Sequence, residues 1–262
     1  MADLNNFAKK ENPLPIGQWV ALLPGSKKAK LCIGIPFLLE FADHLSKKLP
    51  NCNFIIPVAP TTNINEFIEL SGEKNPISKK YISGIQTIIE ANDNCPWRAL
   101  ITRFGTTIYL EENYPAHGYL SQCDLAITTV GANTAELGAL AIPMIVFVPT
   151  QHMNEMQAWD GLLGIIGRMP ILKWLFGITI SLWRMRRRNF MALPNISSKR
   201  IVVPEIIGKI QPKEIAIEAE SWLKSPERLK GQKKDLENLR GDSGATERIC
   251  LEIIELIENQ NK

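Results

Sequence analysis

Gln18-Trp19-Val20-Ala21-Leu22-Leu23 runs directly into Pro24-Gly25-Ser26-Lys27, and this junction decides the fold. An unbroken apolar run of that length, stopped by a Pro-Gly pair, reads as a strand buried on both faces that ends in a tight turn. Leu31–Leu49 follows with apolar residues at helical spacing and a Lys-Lys-Leu-Pro ending, so a helix is expected there. Cys52–Val58 repeats the strand pattern and Asn63–Glu73 the helix pattern. Ala99–Leu110 holds two β-rich runs around Phe104-Gly105, with a turn at Tyr114-Pro115. Asp124–Val130 predicts a strand, Thr134–Leu140 a short helix and Pro143–Val148 another strand. Apolar strands alternating with helices predict an α/β fold, a Rossmann-like parallel sheet with helices on both faces.

The tail, Pro212–Asn259, is helical and amphipathic. Pro226 restarts a helix and Gly241-Asp242-Ser243-Gly244 interrupts it. Its apolar stripe suits packing on the sheet as well as pairing with a second copy.

Composition bounds the function classes. The 262 residues are 45% hydrophobic and 22% charged, which suits a folded protein with a substantial core. The net charge of +3 is too small to imply nucleic acid as a partner. Cys32, Cys52, Cys95, Cys123 and Cys250 contain no CxxC pair, and His44, His117 and His152 lack metal-ligand spacing, so no metal site is expected. The first residues carry no apolar run of the kind a secretory signal needs, which leads us to expect a cytoplasmic chain.

Two strand-to-helix junctions carry the candidate chemistry, because parallel sheets bind ligands at the carboxyl ends of their strands. In the first, Gly25 lets the backbone approach a ligand and Ser26 offers a hydroxyl. The helix that follows presents free N–H groups to an anion. Lys27, Lys28 and Lys30 add positive charge, and a diphosphate is the natural guest. In the second, Val130-Gly131-Ala132-Asn133-Thr134-Ala135-Glu136, Gly131 suits a tight turn and Asn133 and Thr134 can cap the helix. Glu136 either complements the helix dipole or accepts hydrogen bonds from ribose hydroxyls in the cleft.

Between Gly161 and Pro204 the character changes. Arg168, Lys173, Arg184, Arg186, Arg187, Arg188, Lys199 and Arg200 appear there, without any Asp or Glu. Within this stretch Met169–Trp183 is apolar except for Lys173, and it falls short of the roughly 20 residues a spanning helix needs. It reads as an interfacial segment, an apolar body with two tryptophans followed by the basic cluster Arg184–Arg188, facing an anionic membrane surface. The plainer alternative is a buried helix pair capped by solvated arginines.

These segments, in order, resemble the C-terminal part of lipid-A-disaccharide synthase, a family of two-lobed GT-B glycosyltransferases. Leu22–Ser26 is similar to that family's LLPGSR stretch, and Asp124–Pro143 to its strand, Gly-rich turn and helix, with Gly131, Thr134, Glu136, Pro143 and Met144 in register. Ala192-Leu193-Pro194-Asn195-Ile196, Arg200 and Val203-Pro204-Glu205 resemble its SLPN…R…VPEL stretch, and Gly244–Arg248 its Gly-Ala-Ser-Glu-Arg ending. The resemblance runs from about Trp19 onward. It implies a UDP-sugar site lined by Gly25, Ser26, Lys27, Gly131, Asn133, Thr134, Glu136, Asn195 and Arg200. It further implies inverting transfer of an acylated hexosamine to a lipid acceptor, no cofactor beyond the UDP-sugar donor, and peripheral association with the inner face of the cytoplasmic membrane. Lys27 departs from the family's arginine and keeps the charge but not a bidentate contact. Val130 replaces a small polar residue, Ala132-Asn133 replaces Thr-Ala, and the segment before the LPN stretch is longer and more apolar. Residues 1–17 read as a tail, 18–262 as the nucleotide-sugar-binding lobe, and 158–190 as a membrane-associating insertion. The family's N-terminal lobe, with its general base, has no counterpart here, so the catalytic residue stays unassigned. The expectation is a separate N-terminal lobe or a homodimer as partner. Alternatives are the donor lobe of another lipid-directed GT-B transferase, such as a galactolipid synthase or the muramyl-lipid N-acetylglucosaminyltransferase, or a non-catalytic membrane-associated remnant.

Overall fold

Strand β1 (Gln18–Leu23) is the axis on which both layers of the core are built. Successive side chains of a strand point to opposite faces. Val20 and Leu22 therefore enter one cluster with helix α1 (Lys28–Ser46), while Trp19, Ala21 and Leu23 enter another on the far side. The computed structural model describes residues 13–93, 95–152, 190–240 and 245–260. The interfacial reading of Met169–Arg188 lies outside these described residues. No described helix is long and apolar enough to cross a membrane.

In chain order the elements after α1 are β2 (Cys52–Pro57), α2 (Ile64–Ser71), β3 (Ile85–Ile89), β4 (Arg98–Thr102) and β5 (Thr107–Glu111). A short α3 (His117–Leu120), β6 (Leu125–Thr129), α4 (Ala132–Ala139) and β7 (Met144–Pro149) come next. After the undescribed stretch follow α5 (Leu193–Ser198), β8 (Glu205–Gly208), α6 (Pro212–Leu223), α7 (Pro226–Arg240) and α8 (Ala245–Gln260). Eight strands form one sheet in the order β3-β4-β5-β2-β1-β6-β7-β8. Strand β1 pairs in parallel with β2 on one side (Gln18 opposite Cys52) and with β6 on the other (Val20 opposite Leu125).

The sheet is parallel from β5 through β2, β1, β6 and β7 to β8, as the apolar runs predict. It departs from that expectation at one edge, where β3 and β4 are antiparallel to each other and β4 is antiparallel to β5. The reason is connection length. The turn around Phe104-Gly105 is too short for the crossover that a parallel pair requires, so it makes a hairpin. Helices α1, α2 and α6 cover one face, with Ile215, Ala216, Ala219 and Trp222 of α6 in the first cluster. On the other face Leu137 of α4 and Leu236 of α7 join the second cluster.

Helix α1 contains Pro36, which cannot donate to the carbonyl of Cys32 one turn earlier. Asn75 Nδ2 supplies the missing donor at 2.8 Å from Cys32 O, so the helix passes through its proline with its acceptor satisfied. Near the other end of α1 the buried carboxylate of Asp43 accepts from the hydroxyls of Ser83 and Thr102, fastening the antiparallel edge to the helix. In helix α8, Leu251, Ile253, Ile254, Leu256 and Ile257 are all at least 50% exposed, so these residues do not pack on the sheet, one of the two uses that the sequence leaves open.

The rings of Phe37 on α1 and Phe147 on β7 stack with centroids 4.5 Å apart, both fully buried. Truncation would open a cavity between helix and sheet. Phe37→Ala is expected to lower the unfolding free energy by about 3–5 kcal/mol, measured by urea denaturation followed by circular dichroism. A loss below about 1 kcal/mol would show that the surroundings collapse into the gap and that this stack does not hold α1.

Candidate functional site

Strand order reverses at β1: the chain moves from β1 outward to β2 and later returns to β6 on β1's other side. Such a reversal opens a crevice at the carboxyl ends of the strands, between the two loops that leave in opposite directions. Here those loops are Pro24–Lys27, leading into α1, and Val130-Gly131, leading into α4. One cleft lies at this point. Leu23, Pro24, Gly25 and Ser26 line it from β1, Pro57–Pro60 from the end of β2, Tyr114 and Ala116 from the segment before α3, and Asn133 and Glu136 from α4.

Both loops turn through glycines in the left-handed region, Gly25 at φ +110° and Gly131 at φ +144°, where a side chain would be strained. The space beside each is filled by Lys30. A Cβ on Gly25 would lie 2.9 Å from Lys30 Cβ, and one on Gly131 would lie 3.0 Å from Lys30 Nζ. The Lys30 ammonium donates to Val130 O at 2.8 Å and so ties the first loop's helix to the second loop. Burial, with a smaller contribution from the charge on Lys27, pushes the Lys30 pKa below its usual value. Lys28 turns away to pair with Glu66 at 2.7 Å, and that partner raises its pKa. Lys27 is the N-cap of α1, without a side-chain capping bond. Helix α4 likewise starts from Gly131 without a side-chain cap. The expectation that Asn133 and Thr134 cap that helix is therefore not met, because both already lie inside it.

Glu136 is the carboxylate of the cleft lining. Its Oε1 lies 2.9 Å from Nε2 of His117, which is buried at the start of α3, while the Glu136 side chain keeps 31% of its surface exposed. His117 Nδ1 is also buried and has no hydrogen-bond partner among the described residues. The sequence pattern does not single out His117. A lone histidine 19 positions before Glu136 carries no spacing signal, and only the fold makes them neighbours. Gly34 is equally silent in the sequence. A Cβ there would lie 2.6 Å from Pro24 O, so this glycine lets α1 pack directly beneath the first loop.

The residues singled out from sequence separate into two groups. Gly25, Ser26, Asn133 and Glu136 line the cleft, and Lys27, Gly131 and Thr134 stand in the same two junctions beside it. Thr134 is buried. Its hydroxyl donates to Gly131 O at 2.8 Å and accepts from the N–H of Leu193 at 3.2 Å, so it braces the second loop. Asn195 and Arg200 are not in the cleft lining. The Asn195 amide is consumed by structure: Oδ1 accepts from the N–H groups of Val202 and Val203 at 2.7 and 2.9 Å, and Nδ2 donates to Val203 O at 2.8 Å and Glu205 Oε1 at 2.7 Å. Arg200 pairs with Asp235 on α7 at 2.8 Å. Two further carboxylates are structural. Glu111 accepts from Trp97 Nε1 and Asn113 N–H, and Asp124 accepts from the N–H of Trp19. Among the described residues, no group of three or more His, Cys, Asp or Glu is placed to hold a metal ion.

The two roles of Asn195 predict different losses. Since its amide satisfies buried backbone groups, Asn195→Ala is expected to cost about 2–4 kcal/mol in urea denaturation while changing the affinity for uridine diphosphate less than twofold. A large loss of nucleotide affinity at unchanged stability would instead put Asn195 in the ligand site.

No protein-family model matches the chain. Among curated proteins, the lipid-A-disaccharide synthase of Syntrophus aciditrophicus (strain SB) is 26% identical over 246 residues, which cover 92% of this chain and 50% of that protein. Those of Sulfurihydrogenibium sp. (strain YO3AOP1) and Solibacter usitatus (strain Ellin6076) are 24% and 26% identical, each over 97% of this chain and over 55% and 53% of their own lengths. A solved structure of the glycotransferase of kitacinnamycin superposes with a TM-score of 0.40 at 14% identity, covering 96% of this chain and 46% of that one. The chain spans about half the length of the curated relatives it matches. Along nearly all of its own sequence, the chain is similar to the lipid-A-disaccharide synthases.

Proposed function

We propose that the chain is the donor-binding lobe of a glycosyltransferase and holds a UDP-sugar whose hexosamine, acylated as in the resembling family, passes to a lipid acceptor. The observation that carries this reading is the convergence of Gly25-Ser26 and Asn133/Glu136 on one cleft at the strand-order reversal. The uncapped first turns of α1 and α4 offer backbone N–H groups to a diphosphate. Lys27 and the half-buried Lys30 add positive charge beside them. Glu136 then accepts from the ribose hydroxyls. In an inverting displacement the acceptor oxygen forms a bond to the anomeric carbon as the bond to the diphosphate oxygen breaks. UDP leaves with the electron pair, and a base takes the hydroxyl proton. The groups of this cleft would act on the leaving diphosphate, where negative charge grows.

The enclosed volume is about 90 Å³, well below the roughly 300 Å³ at which pockets engulf a ligand. A nucleotide-sugar is thus gripped here along one side. We assign the acceptor, and the base that serves it, to the part of the relatives' length that this sequence does not match. Membrane contact is assigned to Met169–Arg188 on its sequence alone, with an apolar body and a basic end against anionic lipid at the inner face of the cytoplasmic membrane.

Calorimetric titration of the purified chain with UDP, UDP-N-acetylglucosamine and ATP tests the reading. Both uridine nucleotides are expected to bind, ATP much more weakly, and Glu136→Ala to weaken UDP about tenfold through a lost charge-assisted hydrogen bond. Absence of binding to any nucleotide would overturn the donor-lobe assignment and favour a remnant without turnover.

A further inference from the structure

We propose that His117 is a positioning residue: it clamps the Glu136 carboxylate in one orientation and thereby makes the cleft select a ligand with a vicinal diol. The inference rests on the donor-lobe reading and names the device that gives that site its ribose preference.

Geometry is the first support. His117 and Glu136 sit on different elements, α3 and α4, and meet at 2.9 Å between Nε2 and Oε1. The histidine is buried behind the wall while the carboxylate stays part-exposed in the cleft lining. The second support is the unused nitrogen. Nδ1 is buried without a partner among the described residues, so we assign the ring proton to Nε2, where the N–H has an acceptor in Glu136. Leaving a buried ring nitrogen unpaired costs stability. A histidine kept only to brace α3 against α4 has no need of that cost, since an apolar side chain would fill the space. The return is control over Glu136.

A glutamate has several freely rotating torsions, and fixing it on binding costs conformational entropy. With Oε1 held by the imidazole, that cost is met during folding, and the remaining acceptor capacity points in a set direction. Two adjacent hydroxyls can then both be accepted by one fixed carboxylate. A ligand lacking them meets a carboxylate that gains nothing.

Calorimetry with UDP and 2′,3′-dideoxy-UDP decides the matter on the wild type, His117→Ala, His117→Gln, Glu136→Ala and the double alanine variant, with thermal midpoints recorded for each. The wild type is expected to prefer UDP about tenfold. His117→Ala should erase most of that preference by weakening UDP alone, leaving dideoxy-UDP affinity unchanged. His117→Gln, whose amide N–H can still reach the carboxylate, should keep a substantial part of it. The double variant should bind no more weakly than Glu136→Ala, because the histidine acts only through the glutamate. Retention of the full preference in His117→Ala overturns the inference, as does an equal loss of both nucleotides. Should His117→Ala fail to fold, a folded His117→Gln that has lost the preference overturns it. A wild type that binds UDP and dideoxy-UDP equally overturns the role of Glu136 and the clamp with it. A wild type that binds neither overturns the donor-lobe reading itself.

Discussion

The pairing of β1 with β6 is the constraint on which the rest of the molecule depends. Four registered residues on each strand, from Val20 opposite Leu125 to Leu23 opposite Thr128, bring the ends of two strands distant in sequence side by side. Strand β1 can hold that central place because it is apolar on both faces. Its odd and even residues feed separate clusters, so one strand serves both layers of the core. Once β1 and β6 are adjacent, the turns that follow must share a small volume. Lys30 occupies that volume, with its stem against Gly25 and its ammonium on Val130 O. The half-buried cation thus places a positive charge between the two loops.

Helix α1 transmits the same constraint to the far edge of the sheet. Gly34 lets it lie against Pro24, Pro36 is tolerated because Asn75 reaches Cys32 O, and Asp43 gathers Ser83 and Thr102. One helix therefore registers the first loop, the parallel core and the antiparallel hairpin at once. A change in its seating at Phe37 would be felt at the cleft as well as in stability.

The fully buried strands and long helices were legible in the sequence because apolar period and turn residues both point the same way there. The antiparallel edge was not. Ile85–Ile89 is a short strand with no fully buried residue, and strand direction is set by connection length rather than by side-chain pattern. Strand β8, Glu205–Gly208, opens with a carboxylate that turns back to receive the N–H groups of Met191 and Ala192, an interaction no local pattern announces. At the candidate cleft, Gly25 and Glu136 belong to the two junctions legible in the sequence, which the fold brings side by side. Asn195 shows where that inference stops: the same amide can hold a ligand or a chain, and only its partners tell which. His117 shows the opposite case, a residue without any sequence signal that the fold places beside the carboxylate of the cleft.

Local costs are not spread evenly over this protein. Positive φ at Ala141 and Lys199 belongs to helix ends, where left-handed residues ordinarily terminate the last turn. A further group of departures lies together at the carboxyl ends of β1 and β6. Gly25 and Gly131 take left-handed turns, α1 and α4 begin without side-chain caps, and Lys30 is partly desolvated. Of the buried side-chain polar atoms without a partner among the described residues, Thr129 Oγ1 ends β6 at this very junction and His117 Nδ1 lies behind the carboxylate of the cleft. Sequences that fold well satisfy most local rules everywhere, and the exceptions collect where the chain is selected for something other than stability. The N–H groups left without a side-chain cap at the starts of α1 and α4 and a partly desolvated cation, beside one cleft, are together what an anionic ligand would relieve on binding. That concentration of cost is an argument for a site that is independent of any similarity in sequence.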